Sequence, residues 1–215
     1  SNNWMWGMDL TLDNSPALPT FWGHMDYFTY SYCYAGDYKA IDSDLYTRVP
    51  DSDERKKWFR AAGGSAPLMN WYKFYHSGRV AGGDRQWTSD LVFMRIEEVL
   101  LVKAEAALRN NEPDVAKATL KVLLDQRDET KAAALISMGN SDLLDEIYFN
   151  WRIEMWGEGR ALLTMKRFQK TVKRGANHVT GMAGLEIKYN DERLRLKIPE
   201  REELNNPNVD PGKNV

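Results

Sequence analysis

The sequence predicts a mainly α fold of helical hairpins, with a loop-rich aromatic lobe ahead of them and a short β-hairpin near the C-terminus. Three observations predict it. Ile96, Val99, Leu100, Ala104, Ala107 and Leu108 recur at i, i+3, i+4 spacing, the period of one helix face. Asn110-Asn111-Glu112 breaks that helix, and Pro113-Asp114 opens a second one with its own apolar period in Val115, Ala118, Val122 and Leu123. Trp4, Trp6, Phe21, Trp22, Tyr27, Phe28, Tyr30, Tyr32, Tyr34 and Tyr38 crowd the start of the chain, where Pro16, Pro19 and several glycines interrupt any long period.

Each element follows from local chemistry. Tyr30, Tyr32 and Tyr34 alternate, the pattern of one face of a short strand. Asp51 to Phe59 places acids before cations, the order that suits a helix dipole, and reads as a short capped helix. Trp71 to Tyr75 reads as a short extended piece. Asp90 sits where an N-cap belongs for the helix running to Arg109. Glu98, Lys103, Glu105 and Arg109 make its polar face. With the helix from Pro113 to about Gln126 it forms an antiparallel pair of roughly 36 residues, the length of a tetratricopeptide repeat. Ser141-Asp142 caps the next helix, whose inward stripe is Leu144, Ile147, Tyr148, Trp151 and Met155. Gly157 and Gly159 break it, and a piece carrying Leu162, Leu163, Met165 and Phe168 completes a second hairpin. Leu185 to Tyr189 and Leu194 to Ile198 both alternate around Asn190-Asp191, a β-hairpin signal. Pro199 to Leu204 is one helical turn, and a polar tail follows. The organisation expected is therefore 1–89 as a loop-rich aromatic subdomain and 90–215 as one helical unit with a C-terminal region.

Composition excludes several classes. A formal net charge of -2 offers no basic field for nucleic acid. No apolar run spans a bilayer. One cysteine, Cys33, allows neither an intrachain disulfide nor a CxxC metal knuckle. His24, His76 and His178 are scattered without metal-ligand spacing, so no metal and no cofactor is expected. No GxSxG elbow and no phosphate-cradling glycine spacing occurs, and no catalytic residue is assigned. Glu154 and Glu158 stand among Arg152 and Arg160 on a helix, where i, i+4 ion pairs explain them better than paired glycosidase carboxylates do. Arg95 with Glu98 or Glu105 reads as structural on the same grounds.

Several segments, taken in order, resemble one family. Arg95, Glu97-Glu98-Val99-Leu100-Leu101 and Ala104-Glu105-Ala106 look like the R-x-x-E-v-x-L-x-x-A-E-A helix of SusD/RagB-type outer-membrane lipoproteins. Arg152-Ile-Glu154, Gly157-Glu158-Gly159-Arg160 and Lys166-Arg167 resemble its later signature, and Leu196-Lys-Ile-Pro199-Glu-x-Glu202 with Asn206-Pro207 resembles its ending. Asp53-Glu-Arg55 before Trp58-Phe59 fits a segment that precedes these. The resemblance covers roughly Asp51 to Val215 and ends on the looser Asp210-Pro-Gly-Lys-Asn214. Chains of that family are much longer and begin at a lipidated cysteine, so the resemblance implies a C-terminal half. It further implies a non-enzymatic glycan receptor on the extracellular face of the outer membrane of a Bacteroidetes-type bacterium. Such a receptor acts as a lid on a SusC-like TonB-dependent transporter during polysaccharide utilization, starch being one such glycan, and is held to the membrane by a lipid anchor on the N-terminal part. Some relatives take peptides or other nutrients.

A sugar ring has apolar C–H faces and a polar rim, so flat aromatic rings stack on the faces while carboxylates, amides and cations bond the rim. Trp22, Tyr27, Tyr30 and Tyr34, with Asp26 and Asp37 nearby, are the candidate ligand-binding residues. The alternative is that these rings cover the helices and the chain is a helical-repeat scaffold for protein or peptide partners.

Overall fold

A computed structural model describes residues 3–210. Its elements in order are β1 (Trp4–Met8), α1 (Phe21–Met25), α2 (Ser43–Arg48), β2 (Leu91–Arg95), α3 (Ile96–Arg109), α4 (Pro113–Leu124), α5 (Glu129–Ala134), α6 (Asn140–Glu154), α7 (Ala161–Arg167), β3 (Val172–Lys173), β4 (Glu186–Ile187) and α8 (Glu200–Asn205). The fold is mainly helical, as the periodicity requires, with two small antiparallel sheets among the described residues.

α3 and α4 form the expected hairpin. Pro113 stands at the first turn of α4, where its missing N–H costs nothing, and Asn111 takes a left-handed φ of 61° to reverse the chain. Leu101, Ala104, Ala107 and Leu108 of α3 pack on Ala116, Leu120, Leu123 and Leu124 of α4, then on Leu143, Ile147, Tyr148 and Trp151 of α6. This one cluster is the back wall of the molecule. α6 starts at Asn140 after Gly139, without a side-chain cap.

The inward faces differ from the expected stripes in detail. Ile96 and Val99 are exposed, whereas Glu105, assigned to the polar face of α3, is buried between Arg109 and Arg167. On α4 the leucines set the face, so Val115, Ala118 and Val122 point outward and only Leu123 of that stripe is buried. Leucine's larger apolar area outweighs the valine and alanine period. Leu162 and Leu163 of α7 are exposed, while Met165 and Phe168 enter the core.

Asp90 is not a helix cap. Leu91–Arg95 is a strand, antiparallel to Trp4–Met8 with Trp4 opposite Arg95 and Met8 opposite Leu91, and α3 begins only at Ile96. Asp90 Oδ1 instead accepts from the Leu10 N–H at 3.2 Å. The short capped helix expected over Asp51–Phe59 is a 3-10 turn at Glu54–Trp58, capped by Asp53, whose carboxylate accepts from the Arg55 N–H.

The loop-rich region has cores of its own. Ile41, Leu45, Val49, Phe59 and Leu68 pack on Phe149 and Ile153 of α6, and Leu10, Trp22 and Trp87 form a separate cluster. Tyr30 to Tyr34 is a turn rather than a strand. The period-2 alternation survives with the small residues inside: Ser31 and Cys33 are buried while the three tyrosines face out. Trp71 to Tyr75 is a series of bends. Near the C-terminus, β4 pairs with β3, not with residues 194–198, where a 3-10 turn at Glu192–Leu194 ends the alternation. The single turn after Pro199 is α8. Of the Asp210–Asn214 ending, everything past Asp210 lies outside the described residues.

Candidate binding groove

A cavity of about 740 Å³ forms a groove between the start of the chain, the aromatic run at Trp71–Tyr75, β2 and the glycine turn after α6. That volume falls in the range of small-molecule sites. Its rings come from separate segments. Phe74 stands edge-on to Phe21 at 4.9 Å and to Trp22 at 6.3 Å, and Trp4, Trp58, Tyr72, Tyr75 and Phe93 complete the aromatic lining. Gly157 shapes the wall: it holds φ +77°, and a Cβ there would stand 2.7 Å from the Phe74 ring and 2.8 Å from Met25 Cε. The signature glycine is thus required both by a left-handed backbone and by close ring approach.

The polar lining is Ser89, Asp90, Lys73, Arg95, Glu158 and Arg160. Beneath it lies an ion network that joins five stretches of the chain. Glu154, fully buried at the end of α6, receives Arg55 at 3.2 Å, Arg95 at 2.6 Å and Arg127 at 3.1 Å. Arg55 also makes a forked pair with Asp53, through Nε at 2.9 Å and Nη2 at 2.7 Å. Arg95 reaches Glu97 at 3.3 Å and Glu158 at 2.9 Å, and Arg127 reaches Glu97 at 3.3 Å. Lys73 pairs with Glu158 at 2.7 Å, donates to the carbonyls of Glu154 and Trp156, and sits over the Trp58 and Phe74 rings. Forked guanidinium–carboxylate bonding of this kind offsets the cost of taking charges out of water.

These contacts set the ionisation of the site. Burial disfavours the Glu154 carboxylate, but Arg95, with Arg127 and Arg55, holds its pKa well below the usual range. Glu158 is likewise lowered: Lys73 and Arg95 outweigh burial. Burial pushes the Lys73 ammonium down to about 8, against the pull of Glu158 and with the push of Arg95. Glu154, Glu158 and Arg95 are held in ion pairs, but not with the expected i, i+4 partners. Arg55, Lys73, Arg95 and Arg127 converge on the two glutamates, and Arg95 pairs with Glu97, Glu154 and Glu158. Glu98 and Glu105 go instead to Arg160 and to Arg109 and Arg167. Arg152 bonds the Tyr148 hydroxyl.

The six sequence candidates divide by position. Trp22 is buried and lines the groove. Tyr30 and Tyr34 are exposed, and Arg85 lies over the Tyr30 ring at 4.8 Å. Tyr27 is half-buried between Tyr34 at 5.5 Å and Trp71 at 5.6 Å. Trp71 in turn meets Tyr72, and Tyr72 meets Tyr75, so ring contacts run without a gap from Tyr34 to the groove wall. Arg79 caps this run, with its guanidinium 4.2 Å from Phe28 and 4.1 Å from Tyr72. Asp37 is exposed beside Lys39 and His24. Asp26 is fully buried: it accepts from the Phe28 N–H at 2.9 Å and from the Thr29 hydroxyl, so it fixes the turn after α1 and does not face solvent. Cys33 is buried and its thiol is pushed up to about 12, chiefly by burial, which keeps it protonated at neutral pH. Sequence reading missed the groove residues Lys73, Phe74 and Phe93. A lysine set inside the aromatic run Trp71–Tyr75 was the available signal.

With the fold and groove in place, comparison with known proteins is decisive. The sequence profile of the SusD family matches residues 27–209. The chain belongs to the SusD family. Among solved structures, a SusD-like carbohydrate binding protein from Bacteroides vulgatus is 23% identical with a TM-score of 0.63, over 95% of this chain and 47% of that one. A SusD superfamily protein from the same organism gives 19% and 0.74 over 97% and 45%. Another from Bacteroides thetaiotaomicron gives 19% and 0.70 over 97% and 48%. At these identities the likeness is one of fold. The chain spans a little under half the length of these solved relatives. No curated protein matches it. No helix among the described residues is long and apolar enough to cross a membrane.

Proposed function

We propose that this SusD-family chain is a non-enzymatic glycan-binding component of a nutrient uptake system. It captures oligosaccharide at the outer face of the outer membrane for import by a SusC-like TonB-dependent transporter, as a lipid-anchored partner. The observation that carries this reading is the groove of about 740 Å³, whose ring faces suit sugar C–H faces and whose polar edge suits hydroxyls. Tyr34 and Tyr27 extend the same surface through Trp71 and Tyr72, and Tyr30 and Asp37 are exposed outside the groove lining. Trp22 backs the groove. We place the division of labour near residue 90, with the loop-rich region gripping and the helices after it acting as a rigid wall.

The test is a glycan array on the protein followed by calorimetry on Tyr72→Ala, a half-exposed groove ring. Losing a stacking ring weakens binding by at least about ten-fold, the cost of one well-placed aromatic anchor. An array with no hits ends the sugar reading. The second reading, a scaffold for protein or peptide, draws on Val102 of α3 and Val122 of α4, which are more than half exposed. Under that reading the Tyr72 variant binds its partner normally and Val122→Asp does not.

A further inference from the structure

The charges around the groove say which sugars it takes, a step that rests on the glycan-capture reading. We infer that the groove accepts neutral oligosaccharides and rejects acidic ones, uronates and sulfated sugars included. Holding an anionic sugar requires a cation with unneutralised charge or spare donors. The wall has three cations, Lys73, Arg95 and Arg160, and each is already engaged. Lys73 spends its donors on Glu158 and on two main-chain carbonyls. Arg95 is held by Glu97, Glu154 and Glu158. Arg160 is held by Glu98 through two nitrogens.

The network behind the wall is balanced as a whole. Lys73, Arg55, Arg95 and Arg127 face Asp53, Glu97, Glu154 and Glu158, four of each sign. The guanidinium of Arg79 lies against Tyr72 and Tyr75, donates to the Trp71 carbonyl, and is not part of the wall. Asp90 is the exception. It lines the groove between Ser89 and Leu91, its Oδ1 accepts one main-chain N–H, and no cation pairs with it among the described residues. A carboxylate with free lone pairs accepts hydrogen bonds from the hydroxyls of a neutral sugar and repels a sugar carboxylate or sulfate.

Calorimetry on the full chain tests this with matched hexasaccharides: maltohexaose, cellohexaose and xylohexaose against hexagalacturonate and a sulfated hexamer. The neutral class should contain a ligand at least about ten-fold tighter than either acidic one. Raising salt from about 20 mM to about 300 mM should narrow the gap by screening Asp90. Asp90→Asn should narrow it too, because the amide oxygen keeps the Leu10 contact while the charge is lost. Acidic hexamers binding as tightly as neutral ones would overturn the inference and leave glycan capture standing. So would a gap that neither salt nor Asp90→Asn moves, which would assign the discrimination to shape. Failure of both classes to bind would remove glycan capture itself, and this inference with it.

Discussion

The helical wall and the loop-rich front are held by different physics. In α3, α4 and α6, leucine, isoleucine and alanine at helical spacing fill one cluster, in which α3 and α4 meet across a short bend and α6 packs against them. In the front lobe the apolar clusters are small. Order there comes from ring edges, from Arg79 spread over aromatic faces, and from buried polar groups such as Asn70, which donates to the Met25 and Phe74 carbonyls. The two regions meet at the Glu154 network, where the front supplies Asp53, Arg55 and Lys73 and the helical wall supplies Glu154 and Arg127. A dry, periodic wall confers stability. An irregular lobe rich in half-exposed rings leaves surface free for a ligand, because its backbone is fixed by specific bonds and not by covering every side chain.

Substitutions can break or sharpen that contrast. The largest effect is expected at the junction: Glu154→Gln leaves three arginines facing a neutral amide and should cost about 3–5 kcal/mol in urea unfolding. A loss under about 1 kcal/mol would mean the junction holds little. Next, Leu120→Ala in the wall should cost about 3 kcal/mol through the cavity it leaves, with no change in glycan affinity beyond that from unfolding. Gly157→Ala should cost about 2 kcal/mol and weaken binding as well, since the new methyl strains φ and pushes on Phe74.

Acid should act through the junction in a defined direction. Glu154 and Glu158 have lowered folded pKa values, so their stabilisation is complete above the ordinary carboxylate value of 4.5 and is lost as pH falls below it. Urea midpoints should drop on that side in the parent chain and drop less in Glu154→Gln. Lys73 works in the opposite sense. Its folded pKa of about 8 lies below the ordinary 10.5, so between those values the unfolded chain holds the extra proton and stability rises with pH. Lys73→Met should flatten that rise. Smallest of all, Tyr30→Ala should leave stability within about 0.5 kcal/mol, as expected for an exposed ring, and any loss it causes should appear in ligand affinity alone.

What was legible in the sequence follows the same divide. Helical hairpins announce themselves locally, through Pro113 at a first turn and apolar residues at i, i+3, i+4, so their order was readable, although α3 starts only at Ile96 and α5 was not read. The faces were less so: on α4 the apolar residues cover most of the circumference, and only side-chain size picks Leu120 over Val122. Asp90 was misread because the partner of Leu91–Arg95 lies at Trp4–Met8, far outside any local window. Similarly, Leu185–Tyr189 finds its partner upstream at Val172–Lys173, across a glycine-containing loop too long to announce a hairpin. Of the residues singled out in the sequence, Tyr30 and Tyr34 are exposed rings outside the groove lining, whereas the Asp26 carboxylate is taken up by an Asx turn over Asp26-Tyr27-Phe28. The groove itself is assembled from six separate stretches, and nothing in any one of them shows the others.

The ribbon of β1 and β2 bears on how the chain acquires its shape. Trp4 lies opposite Arg95, so this zipper ties off everything between them as one closed loop. Closing so long a loop is entropically slow, whereas α3 and α4 meet across a three-residue bend. The helices should therefore gain hydrogen-exchange protection first, with the ribbon as the last clasp to fasten. Deleting the Trp4–Met8 strand should leave the helices protected while the groove side exchanges freely.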